Sequence, residues 1–172
     1  MLFSRTTDPS GQWVEMDPDL QCQDRTLLEI HDYWKGKCRD GGLPRRADVD
    51  PLDLRQHLAN LILIDVEHDP LRLRYRLIGT RITQAMQRDS TGRYYDEIYN
   101  PEIVEDIYAS FRWIFANRRP LRTFGQAFYP DRNFYSYETL NLPLSTDGTV
   151  IDMVLGGLVF HMSKPPADAN RG

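Results

Sequence analysis

From Leu27 onward the apolar positions Leu27, Ile30, His31, Trp34 and Cys38 recur three or four residues apart, which places them on one face of a helix. Asp24 precedes them as a natural N-cap, because its carboxylate can accept a hydrogen bond from an orphan amide of the first turn. Gly41-Gly42 supplies an end, since glycine tolerates the left-handed conformation that closes helices. An extended stretch, Leu43-Pro44-Arg45-Arg46-Ala47, leads to Asp50-Pro51, which opens a short helix reaching Leu58.

The pattern then changes period. Leu61-Ile62-Leu63-Ile64-Asp65-Val66 is short and β-rich, and His68-Asp69-Pro70 forms a turn. Leu71, Leu73, Tyr75 and Leu77 alternate with Arg72, Arg74 and Arg76, as in a strand with unlike faces. Gly79-Thr80 breaks that alternation, and Ile82, Ala85 and Met86 fit a short helix. The clearest helix comes next: Asn100 as cap, Pro101 at the first position, and a stripe of Ile103, Ile107, Tyr108, Phe111, Ile114 and Phe115. Arg118-Arg119 suit its negative end and Pro120 stops it. Three strands finish the chain, at 121–129, 134–144 and 150–162, joined by links too short for the crossover that parallel pairing demands. The predicted fold class is α+β: a five-stranded antiparallel sheet with helices on one face and an extra N-terminal helix. Residues 24–162 form one domain, between a flexible arm at 1–23 and a flexible tail at 163–172.

Composition narrows the function classes. The chain has 172 residues and a net charge of −4, which argues against a nucleic-acid backbone as the main partner. No apolar run reaches the ~18 residues a membrane span needs, and no secretory signal opens the chain, so the expected compartment is the cytoplasm. Cys22 and Cys38 show no metal spacing, and no metal site is expected.

The order helix, β, β, short helices, long helix, β, β, β resembles a PAS domain. Thr91-Gly92-Arg93 followed by Ile98-Tyr99-Asn100-Pro101-Glu102 is similar to the PAS segment that enters the long helix, and Asp147-Gly148 with Ile151 to the last hairpin. Tyr33-Trp34, Leu43-Pro44-Arg45-Arg46, Asp50-Pro51, the run 74–80 and Asn141-Leu142-Pro143-Leu144 resemble one bacterial PAS-like group in particular. That group consists of stand-alone proteins without a fused output domain. One departure is Gly79-Thr80, where many PAS domains carry Asn.

The resemblance implies a cytoplasmic sensory or regulatory module, not an enzyme, that binds an unknown small molecule and acts through a signalling protein partner. The ligand-binding candidates are Tyr75, Arg76, Tyr108, Phe111, Phe115, Tyr129, Tyr137 and Glu138. Arg72, Arg74 and Arg76 read first as a solvated or partner-facing surface; the sharper alternative pairs Arg76 with Glu138 as a fork that a small anion could displace. The apolar face of the first helix, with Leu27, Ile30 and Trp34, is expected either to cap the outer sheet face of its own subunit or to pair with a second subunit, and a homodimer through these three residues is the favoured arrangement. No cofactor is expected. Haem is disfavoured because His31, His57, His68 and His161 lack ligand spacing, with His57 and His68 expected in water. Flavin–thiol chemistry is disfavoured because both cysteines precede the sheet. The alternative is a small cavity-containing enzyme of isomerase or hydratase type, with Glu138 and Tyr137 or Tyr129 as acid and base.

Overall fold

Asn100 does cap the long helix: in the computed structural model, which describes residues 13–128 and 134–162, its side chain accepts a hydrogen bond from the Ile103 amide at 3.1 Å. This helix, α3 (Pro101–Asn117), closes on Arg118 in the left-handed conformation. The first helix, α1 (Arg25–Lys37), begins as predicted, with Asp24 accepting from the Thr26 amide at 2.8 Å. It ends four residues before Gly41, because Cys38 is already extended and the left-handed turn falls at Asp40 and Gly41. The expected helix from Asp50 to Leu58 forms only three-residue turns, followed by a 3₁₀ turn at Leu58–Asn60. A short helix, α2 (Thr80–Met86), follows the first hairpin as expected.

The sheet has six strands among the described residues, where five were predicted. They are β1 (Trp13–Asp17), β2 (Leu61–Glu67), β3 (Arg72–Ile78), β4 (Leu121–Phe128), β5 (Phe134–Leu144) and β6 (Met153–Met162). Their order is β1-β4-β5-β6-β2-β3, antiparallel throughout. The additional strand lies inside the segment read as a flexible arm. Trp13 to Asp17 pair with Gln126 to Arg122 and add an edge to β4. Residues 1–12, the tail at 163–172 and Tyr129 lie outside the described residues.

Both faces of the sheet are covered. On one face Ile62, Ile64, Leu73 and Tyr75 pack with Ile82 and Met86 of α2 and with Phe111 and Ile114 of α3. On the other, Leu61, Leu63, Leu140, Leu142, Leu144 and Leu155 pack against Leu27, Ile30 and Trp34 of α1. The helices therefore divide between two faces, and α1 serves as a cover for its own sheet. Leu27 and Ile30 are 0% exposed and Trp34 6%, and the Trp34 indole N–H donates to Pro143 O at 3.0 Å. The expected dimer contact through these three residues is corrected accordingly: they have no surface left for a partner. Gly157 permits this close seating. A Cβ there would stand 2.9 Å from Ile30 Cδ1 and 3.0 Å from Leu27 Cδ2. Burying an aliphatic side chain of this size contributes roughly 1.5–3 kcal/mol.

Candidate functional site

The two-residue period of β5 sorts its side chains. Glu138, Leu140 and Leu142 share the α1 face, whereas Tyr137, Thr139 and Asn141 share the α3 face, opposite Gly125, Thr123 and Leu121 of β4. Under α3 that second set bounds a cavity of about 110 Å³, partly open to solvent. Ile103, Ile107, Ser110 and Phe111 form its helical wall, Tyr95, Tyr99 and Met86 one end, and Ile62, Tyr75, Leu158 and Phe160 complete the sheet side. β1 contributes Trp13 and Val14. Gly125 admits this strand, since a Cβ there would lie 2.0 Å from Trp13 O.

Among the described residues the cavity carries no formal charge. None of its eighteen lining residues is Asp, Glu, Lys, Arg or His. Its polar groups are amides and hydroxyls. The Asn141 side chain, 3% exposed, donates through Nδ2 to Leu121 O at 3.2 Å and to Thr123 Oγ1 at 3.3 Å. The Tyr75 and Tyr99 hydroxyls are 2.8 Å apart, and the Tyr75 and Tyr95 rings stack with centroids 4.3 Å apart. Burial pushes the Tyr95 phenol well above its ordinary value, which keeps it neutral. Ser110 returns its hydroxyl to Ile107 O at 2.6 Å.

Of the residues predicted to bind a ligand, Tyr75, Phe111 and Tyr137 line this cavity. Tyr108 and Phe115 instead pack in the core beside it, Phe115 edge-on to Phe111 at 6.2 Å and against His68 at 5.0 Å. Tyr129 lies outside the described residues. Tyr95, Tyr99, Thr123, Thr139 and Asn141 line the cavity without having been singled out as ligand candidates. Asn141 and Thr139 were within reach of the sequence, because Tyr137 fixes the phase of their strand face.

The Arg76–Glu138 fork does not form. β3 and β5 are separated by β6 and β2, three strand spacings or about 14 Å. Arg76 instead meets Asp65 at 3.3 Å, with its side chain 56% exposed, and Arg74 shares the same carboxylate at 2.8 Å. The partner of Glu138 is Arg122, at 2.8 Å, and Arg122 also holds Asp17 of β1 at 3.0 Å. This triad lies on the α1 face, away from the cavity. Glu138 and Tyr137 therefore point to opposite faces and do not form an acid–base pair. Burial pushes the nearby Cys22 thiol up to about 11; Arg122 opposes the shift, while Glu138, Asp17 and Asp24 reinforce it. The two histidines expected in water are both engaged, His57 with Glu29 at 2.9 Å and His68 with Ile151 O at 2.8 Å. Among the described residues no group of three or more His, Cys, Asp or Glu is placed to hold a metal.

A second crevice, of about 390 Å³, runs past Asp24, Asn60, Arg81 and His161. Its main polar groups already serve one another: Arg81 donates to Asn60 Oδ1 at 3.1 Å, and Asn60 donates to Leu158 O at 3.0 Å.

An antiparallel sheet with α2 and α3 crossing one face above an interior cavity defines an α+β sensor-type sandwich. A family model described as PAS domain matches residues 22–159, and the chain belongs to that family, a class of sensory modules. The chain is also similar to a solved structure of an RNA-binding light-oxygen-voltage receptor, with 14% identity and a TM-score of 0.46. That similarity covers 71% of this chain and 35% of the receptor, so the chain spans about a third of its length. No curated protein matches the chain. Among the described residues no helix is long and apolar enough to cross a membrane.

Proposed function

We propose that this PAS protein is a cytoplasmic sensory module that takes up a small molecule in the cavity under α3 and passes the change to a protein partner. The observation that carries this reading is the composition of the walls: α3, α2, the sheet and the edge strand β1 all contribute to one neutral cavity. A molecule seated there touches elements that can shift relative to one another, and ligand preference for one arrangement moves the population toward it. β1 is suited to report occupancy, because among the described residues it is an edge strand paired on one side only, and it leads into α1. The partner is either a downstream signalling protein or a second copy. A homodimer, where it forms, uses groups other than Leu27, Ile30 and Trp34.

The acid–base alternative would need a carboxylate or imidazole beside the cavity tyrosines, and among the described residues none lines the cavity. Mass spectrometry of the molecules released when the purified protein is denatured tests the sensor reading directly. A small molecule is expected from the native chain and absent from Ser110→Leu, which fills the cavity from α3 while far-UV circular dichroism remains unchanged. The same molecule released equally by both proteins would place the site elsewhere.

A further inference from the structure

Resting on the cavity being the ligand site, we infer that its ligand is a small uncharged molecule, one aromatic ring or its equivalent in size, whose single hydroxyl or N–H donates to Asn141 Oδ1. Charge is the first constraint. Among the described residues no ionic side chain lines the cavity, so an ionised ligand held inside it would lack a counter-charge there, and unpaired buried charge is strongly disfavoured. Size is the second. At about 110 Å³ the cavity is smaller than the roughly 150 Å³ apolar cavity that accepts benzene, so one ring is the most it encloses.

The polar anchor follows from the Asn141 amide. Its Nδ2 faces Leu121 O, and the reverse orientation would set two acceptors against each other, so Oδ1 is the end left over. Among the described residues Oδ1 accepts no hydrogen bond, and Asn141 lines the cavity. An acceptor that faces a largely apolar cavity is poorly hydrated, and a ligand hydroxyl or N–H satisfies it. Water fits the apolar side of the cavity poorly. About three molecules would fit, each needing two to four polar partners. The facing wall of Ile103, Ile107 and Phe111 offers none, and Ser110 already bonds Ile107 O. The same apolar wall is suited to a ring.

Titration of the purified full chain at pH 7 with phenol, benzene and benzoate separates these requirements. Phenol is expected to bind, benzene about 10-fold more weakly for loss of the hydrogen bond, and benzoate at least about 100-fold more weakly. Asn141→Leu is expected to reduce phenol to the affinity of benzene. Because that variant also strips Leu121 O of a donor, the ranking of the three probes on the native chain decides the matter if it does not fold. Benzene or benzoate binding as tightly as phenol would overturn this ligand class and leave the cavity as the site. So would binding of none of the three together with release of a charged or much larger molecule on denaturation. No binding and no released molecule would overturn both readings.

Discussion

Arg122→Met tests how the edge strand β1 is held. Arg122 is the cation between two carboxylates, Asp17 at 3.0 Å and Glu138 at 2.8 Å, and its guanidinium also lies 4.5 Å from the Phe124 ring centre. The three side chains are 15%, 13% and 16% exposed. Removing one partner of a fully buried ion pair costs about 3–5 kcal/mol, because the remaining charge is left without compensation. Partial exposure lets the two carboxylates recover some hydration, and methionine keeps much of the packing, so a loss of about 2–3 kcal/mol is expected. At roughly 2–4 °C per kcal/mol for a chain of this size, the melting temperature falls by about 4–12 °C. The comparison is Arg76→Met, whose 56%-exposed pair with Asp65 is worth about 0–1 kcal/mol. Hydrogen exchange locates the effect: the amides of 13–17 lose protection first, because among the described residues β1 has one neighbouring strand and it loses its side-chain anchor. Arg122→Met/Glu138→Gln is expected to regain part of the loss, since it removes one of the two uncompensated charges. Equal melting temperatures for Arg122→Met and Arg76→Met, or unaltered exchange at β1, would refute this account.

Two further perturbations address the other face of the sheet. Gly157→Val introduces a branched side chain where even a Cβ stands 2.9–3.0 Å from Ile30 and Leu27, and such overpacking costs about 1–3 kcal/mol. Thermal unfolding of this variant at an unchanged temperature would show that α1 is not seated as described. With the Cys22 thiol pushed up from 9.0 to about 11, the thiolate at pH 8 is about 100-fold scarcer than for an unperturbed cysteine. Iodoacetamide is therefore expected to label Cys22 slowly at pH 8 and to accelerate through pH 11, as read by peptide mass; rapid labelling at pH 8 would refute the burial.

What could be read without coordinates was whatever rests on neighbours in sequence. Asn100-Pro101 and Asp24 signal helix starts through local capping, and Arg72, Arg74 and Arg76 alternate because one strand sets their period. The long links that close the sheet left no such trace. β1 is five residues long and half-buried throughout, and its partner strand lies more than 100 residues away, so no local pattern distinguishes it from an arm. The Arg76–Glu138 pairing failed for the same reason, since it depended on which strands are neighbours.

Alternation does not distinguish the two faces of this sheet, which bears directly on the site. A sheet with one solvated face shows alternation that reveals its inner side, but here α1 buries the second face and β5 reads as apolar on both. Leu140 and Leu142 are as deeply buried as Asn141 between them, so hydrophobicity alone points away from the cavity. What separates the two faces is polarity retained under cover. Thr139 and Asn141 stay polar while buried, a costly choice in a strand unless something satisfies them. Buried amides and hydroxyls on one phase of a strand, with leucines on the other, are the sequence trace of a lined cavity set against a packed core.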